Sequence, residues 1–206
     1  NGTQADWLCL LARTSDEGGH RGMSQIIVPT DTPGFSVSRK LDKLGQRSSD
    51  TAELSFVDMR VPVSNTIGEI GRGFQQQMDQ FQNERLIAAY MASGALRDAL
   101  DKTIAYVKDR GAFGKTLADN QWIQFKLAEL VAEVDILQHY NRACAEAIVN
   151  DADPFTVTKM ASIAKLKTGR LQREVSDWAM QFHGGIGYME ETWTARYYRD
   201  ARLLSI

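Results

Sequence analysis

The chain has 206 residues, of which 43% are hydrophobic and 24% charged, and its formal net charge is -2. This composition predicts a globular protein of one or two domains with a substantial hydrophobic core. Because Lys and Arg are interleaved with Asp and Glu, there is no basic patch for nucleic acid or for an anionic membrane, and we expect neither partner.

Residues 1–67 are predicted to form part of a small antiparallel β-domain. Glycine, proline, aspartate and serine interrupt this region roughly every 8 to 12 residues, and the apolar segments between them are typical of strands. The predicted strands are WLCLLA, SQIIVP, GFSVSR and AELSFV. The segment DTPG, Asp31 to Gly34, is typical of a turn, because proline presets the backbone there.

A long helix is predicted after Gly68, where apolar residues recur every three or four positions. No proline occurs between Pro62 and Pro154, so nothing in that interval forces a break. Arg110 followed by Gly111 indicates the end of this helix, because a basic residue favours the last turn and glycine favours the position after it.

Two further helices are predicted. The second runs from about Asp119 to Asn150, with its apolar residues along one stripe. The third begins with Asp153 as N-cap and Pro154 as first residue, and it ends at the sequence HGG, residues 183–185. Long helices with short connections pack as an antiparallel bundle of the four-helix type, which we assign to residues 68–206. The expected fold class is α+β.

The ends of the sequence predict a fragment of a longer chain. Asn1 is not an initiator methionine, and Ile206 closes an apolar run that has no stop signal. We therefore expect the helical domain to be truncated at its end. The absence of a signal peptide says nothing about targeting in this case.

Glu84 lies in the first long helix, at a position where an apolar residue would pack better. The residues three and four positions away carry no positive charge; they are Gln80, Phe81, Ile87 and Ala88. The commoner interpretation is that Glu84 lies at the rim of the bundle or pairs with another element. The alternative is chemical, because apolar surroundings raise the pKa of a carboxylate and make it a base suited to removing a proton α to a carbonyl.

The segment QFHGGIGY, residues 181–188, is glycine-rich but does not follow a strand, so it does not match a dinucleotide-binding Rossmann loop. Its ordinary interpretation is a helix end and turn, with Gly184 just past the helix and Gly187 at positive φ. The alternative is that bare backbone lets a cofactor approach. His183 is expected to be a hydrogen-bonded structural residue rather than an acid or base.

The segment RGAFGKTL, residues 110–117, allows two interpretations as well. A basic residue at a helix end ordinarily interacts with the helix dipole and with water. Arginine is also the side chain best shaped to grip a pyrophosphate, and Phe113 would add an apolar face beside Arg110.

The two cysteines, Cys9 and Cys144, lie far apart in the sequence and form neither a disulfide framework nor a metal-ligand cluster. We expect both to be small buried residues in a reducing compartment. No cluster of His, Cys and carboxylate residues predicts a metal site.

Taken together, several segments resemble the acyl-CoA dehydrogenase family over nearly the whole chain. In chain order they are NGTQADW, TPGFSVSRKLDKLGQRSSDTAEL, VPVSN, GEIGRGF, ERL, RGAFGKTL followed by Gln121, QFHGGIGY and RDAR. The resemblance implies the second part of a middle β-domain followed by a C-terminal helical bundle, usually assembled as a homotetramer with one FAD per subunit.

The resemblance also implies a reaction, the oxidation of an acyl-CoA thioester to a trans-2-enoyl-CoA. In the family a glutamate removes the pro-R α-proton while the β-hydrogen leaves as hydride to flavin N5. This glutamate follows the RDA motif in most members, at a place just beyond Ile206. In the isovaleryl and long-chain types it lies in the long helix before an arginine, and Glu84 followed by Arg85 matches that pattern.

The family's contacts are carried over by position. Arg110 matches the arginine that pairs with the FAD pyrophosphate. In the family, the FAD-contacting residues of this region act on the flavin of an adjoining subunit. The residues implied to contact FAD are Arg110, Phe113, Leu117, Gln121, Gln181, Gly184 and Gly185, the last three at the adenosine half. Phe81 and Arg85 match residues near the CoA and acyl groups, although Gln82 replaces an acidic residue common there.

Electron-transferring flavoprotein is the electron acceptor that family membership implies. Two alternatives stay open: an oxygen-using acyl-CoA oxidase or related flavoenzyme of the same fold, and a non-catalytic scaffold that has lost FAD. The sequence leaves the acyl chain unassigned, and it leaves the compartment open between a bacterial cytoplasm and a mitochondrial matrix.

Overall fold

The computed structural model describes residues 1–206 and contains two compact units, Asn1–Phe81 and Gln82–Ile206. The strands of the predicted β-domain lie in the first unit, and most helical residues lie in the second. None of the helices is both long enough and apolar enough to cross a membrane.

The first unit contains five strands, and all of the pairings between these strands are antiparallel. One sheet has the order β1-β2-β5, and β3 pairs with β4. The four predicted strands are confirmed. The fifth has only two residues and therefore no alternating pattern from which it could be predicted. The strands are β1 (Trp7–Arg13), β2 (Met23–Pro29), β3 (Phe35–Lys40), β4 (Ala52–Phe56) and β5 (Thr66–Ile67).

The predicted turn between β2 and β3 forms, with the backbone N–H of Phe35 donating to the carbonyl of Thr32 at 3.2 Å. Gly34 is required there for two reasons. Its φ is +96°, and a Cβ at this position would lie 2.3 Å from the carbonyl oxygen of Val57. Only glycine meets both conditions without strain.

Four helices and a short hairpin complete the chain, which confirms the predicted series of long helices with short connections. The first helix begins in the first unit and continues into the second. The elements are α1 (Gly73–Asp109), β6 (Gly111–Ala112), β7 (Lys115–Thr116), α2 (Gln121–Val149), α3 (Pro154–His183) and α4 (Trp193–Ala201).

The starts of α2 and α3 are fixed by side-chain caps. Asp153 accepts a hydrogen bond from the backbone N–H of Thr156 at 3.0 Å, which confirms the predicted start of α3. The cap of α2 is Asn120, whose side chain accepts from the N–H of Trp122 at 3.1 Å. The helix therefore begins just after the predicted Asp119, because the side chain of Asn120 accepts a hydrogen bond from a backbone N–H of the first turn.

The end of α1 differs from the prediction. Gly111 begins strand β6 and is not a left-handed residue after the helix. The left-handed residues are Phe113, with φ 52°, and Gly114, with φ 79°, and they form the two-residue turn of the β6–β7 hairpin. The pairing of β6 with β7 determines the conformation of these residues. Strands of two residues have no periodic sequence pattern from which they could be predicted.

The glycines after α3 are required for two different reasons. Gly184 caps the helix with φ 64°, as predicted. The prediction of a positive φ at Gly187 is wrong, because its backbone is not left-handed. A Cβ at Gly187 would lie 2.7 Å from the carbonyl oxygen of Met180, so glycine provides space there rather than conformational freedom.

The two cysteines differ in exposure. Cys144 in α2 is buried as expected, whereas Cys9 is exposed, and neither forms a disulfide. Successive residues of β1 point to opposite faces, and Cys9 shares the exposed face with Trp7. The expected burial of Cys9 is therefore wrong.

Buried polar side chains connect the helices. Asn141 of α2 donates to the Oγ of Ser93 in α1 at 2.6 Å. Gln172 of α3 donates to the carbonyl of Ala92 in α1 at 3.2 Å and accepts from the hydroxyl of Tyr197 in α4 at 2.8 Å. An unpaired buried polar group is costly, so these bonds fix the helix register. The largest fully buried apolar side chains of the helices are Leu96, Leu100, Val107, Leu130, Val134 and Val175.

Replacing Gly94 with alanine should stabilise the protein by about 1 kcal/mol, since glycine costs backbone entropy inside a helix. Gly94 lies on an exposed face of α1, and an added Cβ would meet no atom within 4 Å. Urea unfolding followed by circular dichroism measures the change. The matched control is Gly169→Ala in α3, which should destabilise the fold because its Cβ would lie 2.7 Å from the carbonyl oxygen of Leu204. Equal effects of the two substitutions would contradict this packing.

Candidate functional site

One end of the helical unit contains a cavity of about 480 Å³. The end of α1, the start of α2 and the end of α3 meet there, so three parts of the sequence contribute to one surface. The predicted FAD residues that line the cavity are Arg110, Leu117, Gln181, Gly184 and Gly185.

Arg110 is held at the end of α1 by its backbone. Its N–H donates to the carbonyl of Tyr106 at 2.8 Å, and its carbonyl accepts from the N–H of Leu117 at 2.9 Å. The hairpin between Arg110 and Leu117 therefore returns the chain to the helix end. This places a guanidinium beside an apolar side chain in the cavity wall, and a guanidinium matches phosphate oxygens in shape and charge.

The glycine pair brings bare backbone to the same cavity. Gly184 turns the chain out of α3 with its positive φ. A Cβ added at Gly184 or at Gly185 would meet no protein atom within 4 Å. The protein's own packing therefore does not require a glycine at position 185. The close approach of another molecule is a physical reason for having glycine there.

Two predicted FAD residues do not line the cavity. The ring of Phe113 is fully exposed at the tip of the hairpin. Gln121 is also exposed, at the first position of α2, between the lining residues Asn120 and Trp122. Their contact with a cofactor stays a prediction.

His183 is part of the cavity wall but is committed to packing. Its ring stacks on Tyr106, with 4.0 Å between centroids, and meets the ring of Trp193 edge-on at 5.4 Å. Its Nδ1 lies 2.7 Å from the carbonyl oxygen of Ala179, so Nδ1 carries the proton and donates. Burial lowers the pKa of His183, which keeps the ring neutral. These contacts support the structural interpretation of this histidine.

Glu84 is exposed on α1. The chain's own packing does not cover this carboxylate, because Ile87 and Met91 on the same face are exposed as well. Ile87 is 56% exposed and Met91 is 73% exposed. Helical spacing places Glu84, Ile87 and Met91 on one face. The face therefore presents a carboxylate beside an exposed apolar stripe.

Arg85 lies next to Glu84 but lines a different surface, a groove of about 570 Å³. Its guanidinium donates to the side-chain oxygen of Gln82 at 3.3 Å. The other basic residues of the groove come from α3, and no Asp or Glu is among the lining residues; they are Lys165, Arg170 and Arg173. Phe81 is half-buried one turn before Arg85 on α1. The groove is therefore suited to an anion.

Two features of these surfaces are not evident from the sequence. Trp122 belongs to the predicted apolar stripe of α2, yet it is 55% exposed and lines the 480 Å³ cavity. The groove that contains the basic side chains of α3 is also lined by Arg85 of α1 and by Leu204 and Ser205 near the end of the chain, which are far apart in the sequence. The spacing of Arg170 and Arg173 is a signal that could have placed these two residues on one helix face. No cluster of His, Cys and carboxylate residues able to hold a metal ion is present.

Two family profiles match the chain. The profile for the acyl-CoA dehydrogenase middle domain matches residues 1–59, and the profile for the acyl-CoA dehydrogenase C-terminal domain matches residues 71–206. Together they cover the β-region and the helical region that carry the residues described above.

Individual relatives agree with these profiles. The short-chain specific acyl-CoA dehydrogenase of Megasphaera elsdenii is 37% identical over 208 residues, covering 100% of this chain and 53% of that protein. The mitochondrial long-chain specific enzyme of Sus scrofa is 38% identical over 208 residues, covering 100% of this chain and 48% of that protein.

A solved structure of an acyl-CoA dehydrogenase from Geobacillus kaustophilus superimposes with a TM-score of 0.94 at 39% identity, covering 100% of this chain and 54% of that one. The chain thus spans about half the length of the curated relatives it matches. Because the family profiles match most of its length, the chain belongs to the acyl-CoA dehydrogenase family.

Proposed function

We propose that this chain takes part in the FAD-dependent α,β-dehydrogenation of an acyl-CoA thioester to a trans-2-enoyl-CoA. The observation that carries the proposal is the convergence of Arg110, Gln181 and Gly185 at one cavity in a member of this family. Since the short-chain and long-chain relatives are equally similar to it, the proposed substrate is the class of acyl-CoA thioesters.

The residues of the 480 Å³ cavity fit the adenosine diphosphate half of FAD. Arg110 supplies a fixed positive charge for the pyrophosphate. The start of α2 lies in the same wall, and the positive end of a helix dipole favours an anion. Gly184 and Gly185 leave open space where side chains would project. When bound, the flavin accepts the hydride that leaves the β-carbon of the substrate.

Glu84 is the proposed base. Its carboxylate takes the proton from the α-carbon of the thioester, and the electron pair of that C–H bond enters the new double bond. Exposed carboxylates are weak bases, but covering the stripe of Ile87 and Met91 with substrate and flavin would remove water from Glu84. Desolvation raises the pKa of a carboxylate toward the working pH. In this proposal burial therefore comes from bound groups rather than from the chain's own packing.

Arg85 and the basic groove are proposed to bind the CoA part of the substrate. CoA carries a diphosphate and a further phosphate, and guanidinium groups are the preferred partners of such oxygens. The groove contains three arginines and Lys165, whose ammonium already donates to the carbonyl of Leu204 at 2.7 Å. In this proposal the arginines bind the phosphate oxygens, and Lys165 adds positive charge.

The proposed site needs two copies of the chain. Glu84 and the end of α1 at Asp109 are separated by 25 helical residues, or about 38 Å at 1.5 Å per residue. This separation favours an arrangement in which Glu84 and Arg110 of one chain serve two different flavins. A homo-oligomer, with the tetramer as the family's form, gives this arrangement if each flavin lies between Glu84 of one copy and Arg110 of another. The full exposure of Phe113 supports a contact outside its own chain.

Electron-transferring flavoprotein is the proposed acceptor of the electrons, on grounds of family membership. When the reduced full-length protein is mixed with electron-transferring flavoprotein, its flavin should be reoxidised faster than it is in air. Rapid formation of hydrogen peroxide in air, with no response to the flavoprotein, would contradict this acceptor and indicate an oxidase.

Replacing Glu84 with glutamine in the full-length protein should lower kcat/KM for an acyl-CoA by roughly 10²- to 10⁴-fold, the usual contribution of a general base. Flavin absorbance should be unchanged, because glutamine has nearly the same size as glutamate and the proposed pyrophosphate contact at Arg110 is left intact. Dehydrogenation assayed with an artificial acceptor measures the loss. The matched control is Glu146→Gln, an exposed glutamate of α2, which should retain full activity. Near-normal turnover of the Glu84 variant would remove this residue from the role.

Replacing Gly185 with alanine should weaken FAD binding about tenfold or more while leaving the free energy of unfolding of the apoprotein within about 0.5 kcal/mol. The added methyl group meets no protein atom, so only a molecule in the cavity can clash with it. Titration of apoprotein with FAD, followed by flavin fluorescence, measures the affinity. Gly18→Ala, also in open space but in the first unit, is the matched control. If both variants bind FAD like the wild type, the cofactor does not approach Gly185.

A further inference from the structure

Trp122 is an exposed aromatic residue with a fixed position. It is the second residue of α2, and its backbone N–H donates to the capping side chain of Asn120. Its ring makes T-shaped contacts with the rings of Trp178 and Phe182, with 5.2 Å and 6.1 Å between the ring centroids. Trp178 and Phe182 in turn stack on each other at 5.5 Å. The ring of Trp122 is therefore held by its neighbours and remains 55% exposed.

The other aromatic side chains of the cavity leave less ring surface for a ligand to contact. Tyr106 and His183 are stacked on each other, with 4.0 Å between their centroids. Phe182 and His183 are buried. Trp122 is thus the aromatic ring of this wall that keeps a large exposed surface.

The cavity therefore combines an arginine, bare glycine backbone and an exposed indole. Proteins bind a nucleobase irrespective of its identity by stacking an aromatic ring on it. In a nucleotide the base also lies close to the phosphates. We propose that Trp122 is the residue that binds the adenine base of the dinucleotide, a proposal that rests on the proposed function of this cavity. The indole and Arg110 then hold the two ends of the same adenosine diphosphate group.

This role has a consequence for ligand choice. FMN contains the flavin ring and one phosphate but lacks the adenosine half. A contact between Trp122 and adenine would therefore contribute to the affinity for FAD and for ADP and contribute nothing to the affinity for FMN. A purely structural role of Trp122 would alter all three affinities together, because it would act through the shape of the cavity.

The test measures FAD, ADP and FMN affinities of the full-length apoprotein by calorimetry for the wild type, Trp122→Ala and Trp122→Phe. Trp122→Ala should weaken the binding of FAD and of ADP about 30-fold, which corresponds to the middle of the range for one base–aromatic stack, and leave FMN binding unchanged. Trp122→Phe should recover most of the loss. Trp7→Ala removes a tryptophan of similar exposure, 62%, in the other unit and should change nothing.

Several outcomes would overturn the proposal. These are unchanged FAD and ADP affinity in Trp122→Ala, or an equal loss for FMN, with circular dichroism confirming a folded variant. A wild-type protein that binds ADP through Trp122 but does not bind FAD would contradict the proposed function and leave the base contact standing. A wild-type protein that binds neither ligand would overturn both.

Discussion

The buried side-chain amide of Gln172 is the interaction on which the site depends most. It donates to a backbone carbonyl of α1 at Ala92 and accepts from Tyr197 of α4, so one polar group fixes three helices relative to one another. A helix can slide along another at little cost when the contact is purely apolar. Sliding here would leave a buried amide and carbonyl unpaired, at a cost of roughly 1–3 kcal/mol for each group. The register of α1 and α3 follows from this bond.

Register matters because the cavity is made of helix ends. Arg110 follows α1 and Gly184 follows α3, and both lie far along their helices from the bond at Gln172. Displacing α3 by one turn would move its end by about 5.4 Å and separate the glycine pair from the guanidinium. The hairpin adds a second constraint, since the hydrogen bond between Arg110 and Leu117 closes the wall against α2. The polar links of the interior thus determine the geometry of a surface site.

How much the sequence predicts depends on whether a signal is local. The cap at Asp153 and the left-handed conformation of Gly184 are determined by neighbouring residues, and both predictions are confirmed. The hairpin turn at Phe113 was not predictable, because two-residue strands leave no periodic pattern and the Arg-Gly pair suggests a simple helix end. Glu84 shows a further limit. Periodicity tells which residues share a face with Glu84, but not whether that face is covered, and the structure shows it exposed.

The same distinction applies to the site as a whole. Family resemblance selected Arg110, Gln181 and the glycines, and the structure brings them into one cavity. It could not select Trp122, because exposure of an aromatic residue in an apolar stripe is decided by packing. The basic groove at Arg85 depends likewise on long-range packing of α1, α3 and the last turn.

The central claim is that one functional site combines Glu84 of one copy with Arg110 of another, since about 38 Å of helix separates them within a chain. Co-expression of two inactive full-length variants, Glu84→Gln and Arg110→Glu, tests it most directly. In mixed assemblies one site then receives both intact residues, so activity should return to about a quarter of the wild-type value for random pairing about a two-fold axis. If the mixture stays as inactive as each variant alone while mixed assemblies are demonstrated by tagging, the site does not combine Glu84 and Arg110 from different copies.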